Sequence, residues 1–193
     1  MKKFLAFYLL TLLVPATAQA VTITFDDVTT AQSATIPGGY QGYTWAGYDP
    51  VADTVSGTVS VATGNSATTS GVYSLGPTLG FQLSRVDGMA FNALDFFAAY
   101  ENGVTSDLLI SGFRNGALTQ QITTGLFSST ATSIAVNFPN IDVLRIHALS
   151  IDIFSIDNLK LTAVPVPPAL WLFVSGLLGL IGMTRNRQAA QAS

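Results

Sequence analysis

Residues 108–123 read LLISGFRNGALTQQIT, and this stretch has the form of a β-hairpin. Two strand-like runs, Leu108–Arg114 and Ala117–Thr123, flank the dipeptide Asn115-Gly116. An Asn-Gly pair accepts the positive φ angles of a tight type I′ turn, which joins antiparallel strands in two residues. Asn102-Gly103 is a second turn of this kind. The hairpin therefore indicates an antiparallel β protein.

The rest of residues 21–163 has the same character, with short β-branched and aromatic runs between Gly, Asn and Asp and no sustained helical periodicity. Strands at this spacing predict an all-β fold, a single β-sandwich of the jelly-roll type. The predicted strands are Val21–Phe25, Tyr43–Gly47, Thr54–Ala62, Gly80–Leu83, Gly88–Ala99, Asp107–Arg114, Ala117–Thr124, Thr132–Asn137, Val143–Ala148 and Phe154–Thr162.

Composition excludes several classes of protein. The 193 residues are 49% hydrophobic and 10% charged, with no Cys and one His. A disordered chain would combine low hydrophobicity with high net charge. Disulfide scaffolds, zinc fingers and Cys nucleophiles need cysteine, and a metal centre with two His ligands needs a second histidine.

The charges are distributed unevenly along the chain. Residues 21–163 hold four basic and eleven acidic residues, a net charge of −7. Such an acidic body argues against nucleic acid and anionic lipid surfaces as partners. The other basic residues are Lys2, Lys3, Arg185 and Arg187, and they lie beside two hydrophobic ends.

Residues 1–20 have the three parts of a secretory signal peptide. Lys2-Lys3 is the positive region, Phe4–Val14 is the apolar region, and Ala18-Gln19-Ala20 is an A-x-A cleavage site for signal peptidase. The alternative is an uncleaved anchor. We expect the protein to be exported.

Residues 164–193 have the features of a sorting tail. A proline motif at 164–169 precedes a short apolar transmembrane helix, residues 169–183, of about 22 Å, against a bilayer core of about 30 Å. Gly176, Gly179 and Gly182 recur along one side of it, where another helix can approach closely. Basic residues at 185–187 favour a cytoplasmic end. A buried soluble helix is the alternative, which the preceding prolines and following charges disfavour.

This tail resembles the PEP-CTERM family of sorting signals. The motif stands here as Pro165-Val166-Pro167, with Val166 where the family usually has Glu, and Arg185 and Arg187 form the terminal cluster. The resemblance covers about 25 of the 193 residues. It implies that an exosortase-type transpeptidase in the inner membrane cleaves the tail. The protein then reaches the cell surface or extracellular matrix of a Gram-negative bacterium that makes exopolysaccharide.

The body resembles a recurrent PEP-CTERM ectodomain, which is similar in outline to carbohydrate-binding jelly rolls. The similar segments are Ile23-Thr-Phe-Asp-Asp27, Ile36-Pro-Gly-Gly-Tyr-Gln-Gly-Tyr-Thr-Trp45 and Phe154-Ser-Ile-Asp-Asn-Leu159. The ligands of such ectodomains are mostly unknown, and exopolysaccharide is the candidate partner that the tail and the body suggest together.

Three carboxylates form the first candidate site. If the first and last strands pair, Asp26, Asp27 and Asp157 could meet with Asn158 at one end of the sandwich, and oxygen ligands of this kind suit a structural Ca²⁺. Apolar residues stand at even positions up to Ile156 and at odd positions from Leu159, which predicts a bulge at Asp157-Asn158. The alternative is that these acids are ordinary strand-end and turn residues.

Four aromatic residues form the second candidate site, a sugar-binding group, because Tyr and Trp rings stack on sugars and offer polar edges to hydroxyls. They are Tyr40, Tyr43, Trp45 and Tyr48, with Asp49 and Asp53 nearby. Aromatic residues on strands are also common in cores, so a core role remains the alternative.

Two further groups favour structural roles. Glu101, the only Glu, lies in a loop near Asp107, and nothing in the spacing selects a second carboxyl for glycoside hydrolysis. His147 shares a face with Arg145, with no G-x-S-x-G nucleophile elbow in the sequence. We interpret the loop as a hairpin and the histidine as solvent-facing.

We therefore predict an exported, exosortase-sorted protein with a non-catalytic β-sandwich that binds polysaccharide or lies within it. Two alternatives remain open. One is a structural or adhesion protein that self-associates through Thr-rich strands, and the other is a polysaccharide-active enzyme.

Overall fold

The computed structural model describes residues 19–55, 57–65, 67–71, 73–101, 106–124, 130–150 and 153–164, which contain one short 3₁₀ helix, Tyr40–Gly42, and thirteen β-strands. They are β1 (Ala20–Ile23), β2 (Ser33–Thr35), β3 (Tyr43–Asp49), β4 (Thr54–Val55), β5 (Ser60–Thr63), β6 (Tyr73–Thr78), β7 (Gly80–Arg85), β8 (Phe91–Tyr100), β9 (Leu108–Arg114), β10 (Ala117–Thr123), β11 (Thr132–Ile141), β12 (Val143–Ala148) and β13 (Phe154–Ala163). Residues 19–164 form a compact unit of their own.

The predicted terminal segments fall mostly outside this unit. Residues 1–18 and 165–193, with most of the signal peptide and nearly all of the sorting tail, lie outside the described residues. Among the residues that are described, no helix has the length and apolar character needed to span a bilayer.

The strands form two antiparallel sheets. The seven-stranded sheet has the order β11–β8–β13–β6–β5–β2, and β1 also pairs with β13. The six-stranded sheet has the order β10–β9–β12–β7–β3–β4. Together they form a sandwich, so the predicted all-β sandwich fold is confirmed.

Aromatic rings join the two sheets across the core. Phe81 on β7 lies 6.5 Å from Phe154 on β13, and Tyr43 on β3 meets Phe91 on β8 edge to face at 5.5 Å, between ring centroids. Fully buried aromatic and aliphatic side chains from both sheets surround these rings. Burial of this apolar surface is the main force that holds the sandwich together.

Turn residues explain where the predicted strands begin and end. Asn115 and Gly116 have φ angles of 51° and 77°, as the predicted hairpin turn requires. The predicted strand Thr54–Ala62 is instead divided into β4 and β5, which belong to different sheets. Gly57 lies between them with a φ of 76°, a left-handed conformation that ends an extended strand.

Two short strands, β2 and β6, were not predicted. Ser33–Thr35 carries no large apolar residue, and Tyr73–Thr78 contains Gly76 and Pro77, which weaken a strand signal. Both are placed by pairing with β5 rather than by their own sequences.

The bulge predicted in β13 is present. Asp157 is paired with Phe97 and Lys160 with Asp95, so three steps along β13 match two along β8. Asn158 has a φ of 52°. Because of the extra residue, even-numbered residues of β13 face the core before the bulge and odd-numbered residues face it afterwards.

The Asp157 carboxylate anchors the loop that precedes β6. It is fully buried, and its Oδ2 accepts hydrogen bonds from the backbone N–H groups of Thr69 and Ser70, both at 2.8 Å. The Thr69 hydroxyl donates to Oδ2 at 3.0 Å, and the Asn158 N–H donates to Oδ1 at 2.7 Å. A buried charge is tolerated because these donors replace the water that it lost.

We predict that Asp157→Ala lowers the free energy of unfolding by about 3 kcal/mol, because it leaves buried backbone N–H groups without an acceptor. The control is Asp95→Ala, which removes a partly exposed carboxylate paired with Lys160 at 2.9 Å and should cost less than about 1 kcal/mol. Urea unfolding of residues 19–164 measures both. Equal losses in the two variants would contradict the anchoring role of Asp157.

Candidate functional site

The three predicted calcium ligands do not form one site. Asp157 is surrounded by N–H donors, as described above, and donors in these positions oppose a cation. Asp27 accepts hydrogen bonds from the Tyr40 hydroxyl at 2.5 Å and from Gln41 Nε2 at 3.2 Å. Asp26 borders Gly71, where an added Cβ would lie 2.1 Å from its Oδ1.

Side chains that could ligate a metal are separated throughout the described residues, where no three Asp, Glu or His side chains gather closely enough to hold an ion. Asp26, Asp27 and Asp157 are thus not gathered into one group, and Asp27 and Asp157 each accept hydrogen bonds from a different segment.

The four predicted sugar-binding aromatic residues lie in two different places. Tyr43 and Trp45 point into the core and are 5% and 8% exposed, so their rings have no free face for a sugar. Tyr40 is half-buried and packs against Trp45, and its pKa is raised by burial and by the hydrogen bond to Asp27. Of the four, only Tyr48 contacts Arg145 and His147 on the outer face of the six-stranded sheet.

Strand alternation explains this separation. Tyr43 and Trp45 are two residues apart and share the core face, whereas Tyr48 is three residues beyond Trp45 and faces outward. The same alternation places Leu144 and Ile146 of β12 in the core and turns Arg145 and His147 outward, as the sequence predicted.

Arg145 lies in a row of polar side chains on the outer face. Its cross-strand neighbours are Gln82 on β7 and Ser111 on β9, and Ser111 pairs in turn with Gln121 on β10. Arg145 Nη2 donates to Gln82 Oε1, and Gln121 Nε2 donates to Ser111 Oγ, both at 3.0 Å. Four strands thus contribute one continuous row of hydrogen-bonding groups.

The Arg145 guanidinium group is held between two aromatic rings. Its central carbon lies 4.2 Å from the ring centroid of Tyr48 and 4.9 Å from that of Phe113. Stacking of this kind suits the planar, weakly hydrated guanidinium group. We call this surface the Arg145 face and define it by Tyr48, Gln82, Ser111, Phe113, Gln121, Arg145 and His147.

Asp53 joins this face from the turn between β3 and β4. Its Oδ1 accepts hydrogen bonds from the Tyr48 hydroxyl at 2.8 Å and from Arg145 Nη1 at 3.4 Å. The Asp53 side chain is 77% exposed, and its φ is 49°. Burial and the hydrogen bond to Asp53 raise the pKa of Tyr48, so this hydroxyl stays protonated and remains a donor at neutral pH.

Gly80 brings Tyr48 and His147 together. It is the cross-strand partner of His147, and the two rings meet beside it with centroids 5.2 Å apart. An added Cβ at Gly80 would lie 2.7 Å from the His147 Cβ and 2.9 Å from the Tyr48 carbonyl oxygen. His147 is therefore a packed member of the face rather than an isolated solvent-facing side chain.

Glu101 is held by a buried partner. The Ser155 hydroxyl donates a hydrogen bond to Glu101 Oε1 and accepts one from the Ala67 N–H at 3.2 Å. Ser155 is fully buried on β13, beside the loop that Asp157 anchors. These contacts give Glu101 a structural role in this part of the molecule.

Sequence reasoning missed Gln82, Ser111 and Gln121 as members of the face. They lie on three strands and become neighbours only through the register of the six-stranded sheet. The predicted sorting residues Pro165, Val166, Pro167, Arg185 and Arg187 lie outside the described residues.

We predict that Gly80→Ala destabilises the domain by about 1–3 kcal/mol, because the new methyl group overlaps His147 and the β3 backbone. Gly38→Ala is the control, since a Cβ there meets nothing within 4 Å, and its effect should stay within about 1 kcal/mol. Urea unfolding measures stability, and the NMR contact between the Tyr48 and His147 rings should be lost. An intact contact with unchanged stability would contradict this account.

Comparisons with known proteins find solved structures that are similar to this chain at low identity. No protein-family model and no curated protein matches this chain. The xylan-binding CBM22-1 domain of Xyn10C from Paenibacillus barcinonensis is 14% identical, over 79% of this chain and 99% of that one, with a TM-score of 0.44. A family 29 carbohydrate-binding module from Piromyces equi is 10% identical, over 77% and 92%, with a TM-score of 0.41. The K1 adhesin domain of Lys-gingipain from Porphyromonas gingivalis W83 is 14% identical, over 76% and 99%, with a TM-score of 0.36.

Proposed function

We propose that this chain is an exported cell-surface or matrix protein whose β-sandwich is a non-catalytic module that binds polysaccharide through the Arg145 face. The observation that carries the proposal is the polar row Gln82–Arg145–Ser111–Gln121, in which the Tyr48 and Phe113 rings contact the Arg145 guanidinium group. Ligand sites typically combine apolar surface with a few polar groups that fix orientation. Here the amide groups of Gln82 and Gln121 and the guanidinium group of Arg145 supply donors and acceptors for sugar hydroxyls, while the buried Ser111 hydroxyl holds the Gln121 side chain.

The shape of the face favours an extended ligand. The row crosses four neighbouring strands, which are spaced about 4.8 Å apart, so it spans roughly 15 Å. That length accommodates several sugar residues of a chain lying across the strands. Tyr48 contributes by supporting Arg145 rather than by stacking on the sugar, since Tyr48 is only 9% exposed.

The two ends of the described unit lie close together. Ala20 pairs with Thr162, and the Val164 N–H donates to the Ala90 carbonyl beside the turn that joins β7 to β8. Ala20 and Val164 therefore both lie near the Arg85 end of β7. Gly80, with Tyr48 and His147 around it, lies at the opposite end of β7.

We expect residues 19–164 to bind the exopolysaccharide of the producing bacterium, or polysaccharides on a glycan array. The double variant Gln82→Ala, Gln121→Ala should weaken binding about tenfold, because it removes two hydrogen-bonding side chains from the row. Gln120→Ala is a matched control, since Gln120 pairs with Gly112 and faces the other side of β10. Affinity electrophoresis measures the shift. The proposal fails if no polysaccharide binds, or if the double variant and the control bind equally well.

Sorting by the tail is the second part of the proposal. In a host that encodes an exosortase, we expect the full chain to leave the inner membrane in a shortened form. Replacing Arg185 and Arg187 by Ala should retain the full-length chain, whereas replacing Gln188 and Gln191 by Ala should not. Cell fractionation and immunoblotting measure this. Full-length parent protein held in the inner membrane of such a host would contradict it.

A specific observation also favours self-association as a second candidate function. β10 forms one edge of the six-stranded sheet, and its sequence ALTQQIT contains no charge and no proline. Edge strands without such protection can pair with another chain. Sedimentation analysis distinguishes the candidates: dimers that Leu118→Lys dissociates, without glycan binding, would favour the structural role.

A further inference from the structure

We propose that the Arg145 face recognises the carboxylate of an acidic sugar, and that Asp53 occupies the carboxylate position in the free protein. This inference rests on the proposed function of the same face. It narrows the ligand from polysaccharide in general to a chain that carries carboxylate groups, such as a polyuronate.

Two donors from different strands converge on one oxygen atom. The Tyr48 hydroxyl of β3 and Arg145 Nη1 of β12 both reach Asp53 Oδ1, at 2.8 and 3.4 Å. A protonated phenol beside a guanidinium group is a suitable pair of donors for a carboxylate oxygen. Tyr48 and Arg145 therefore form a position that binds a carboxylate oxygen, and Asp53 Oδ1 occupies it in this structure.

The donors are held firmly, whereas the acceptor is not. Arg145 has a side chain that is 21% exposed and lies between the Tyr48 and Phe113 rings, and Arg145 Nη2 is also bound to Gln82. The Asp53 side chain is 77% exposed and lies in the turn between β3 and β4, at the edge of the sheet. An exposed ion pair contributes little to stability. A ligand carboxylate can thus displace Asp53 while Tyr48 and Arg145 stay in place.

The exchange also preserves the local charge. Arg145 is paired with one carboxylate before binding and with one afterwards, so no guanidinium charge is left without a partner. The Asp53 carboxylate moves into water, where its hydration replaces the two hydrogen bonds that it gave up. Neutral sugars offer only hydroxyl groups and cannot replace a carboxylate beside Arg145 on equal terms.

The test compares two polymers with the same backbone. Full chain is purified in a detergent without a sugar headgroup, in calcium-free buffer, and titrated with polygalacturonate or with fully methyl-esterified polygalacturonate. We expect the acid polymer to bind at least tenfold tighter than the ester, because esterification removes the charge that Arg145 recognises.

Asp53→Gly removes the internal competitor, and glycine accommodates the positive φ at this position. This variant should bind the acid polymer about threefold tighter than the parent chain does.

Arg145→Gln should lose the preference for the acid polymer, and Arg85→Gln is the matched control. Arg85 forms its own ion pair with Asp87 and lies outside the Arg145 face, so its variant should bind as the parent does. Misfolding cannot explain tighter binding of the acid polymer by Asp53→Gly. That variant therefore tests the inference even if Arg145→Gln damages the fold. Equal binding of both polymers would overturn this inference and leave the proposed function standing. Binding of no glycan at all would overturn both.

Discussion

The hydrogen bonds to the buried Asp157 carboxylate are the interaction on which the rest of this structure depends. β13 pairs with β8 on one side, and on the other it pairs first with β6 and then with β1. On that second side the bulge falls between the residues that pair with β6 and those that pair with β1. Asp157 accepts from the N–H groups of Thr69 and Ser70, so a loop closes the sheet at this point. With β13 fixed, Phe154 supports Phe81 on β7, and β7 in turn carries Gly80 and Gln82 of the outer face.

The ion pair of Arg145, which we propose is functional, differs from the other three ion pairs of the domain. Each of the four basic residues between positions 21 and 163 is paired with an aspartate. Arg85 and Asp87 are two residues apart and form a bidentate contact within one turn. Arg145 differs, because two aromatic rings hold its guanidinium group while its acidic partner is mostly exposed. The net negative charge of residues 21–163 therefore comes from the acidic residues that are not in these four ion pairs.

The sequence predicted features that depend on neighbouring residues and missed those that depend on register. Asn115-Gly116 identified the hairpin, and the change of apolar parity after Ile156 identified the bulge, because both are local. The partners of Asp157 are 87 and 88 residues away, and the row through Arg145 needs the alignment of four strands. Grouping Tyr48 with Tyr43 and Trp45 by proximity missed the alternation of β3, which places them on opposite faces.

The central claim, that the Arg145 face is the polysaccharide-binding surface, is tested most directly by mapping amide chemical-shift changes in residues 19–164 on addition of an oligogalacturonate. The account predicts that the largest changes cluster at Gln82, Ser111, Gln121 and Arg145, with a further change at Asp53 as its side chain is displaced. Changes centred instead on Tyr40 and Gln41, or spread evenly without a cluster, would contradict it.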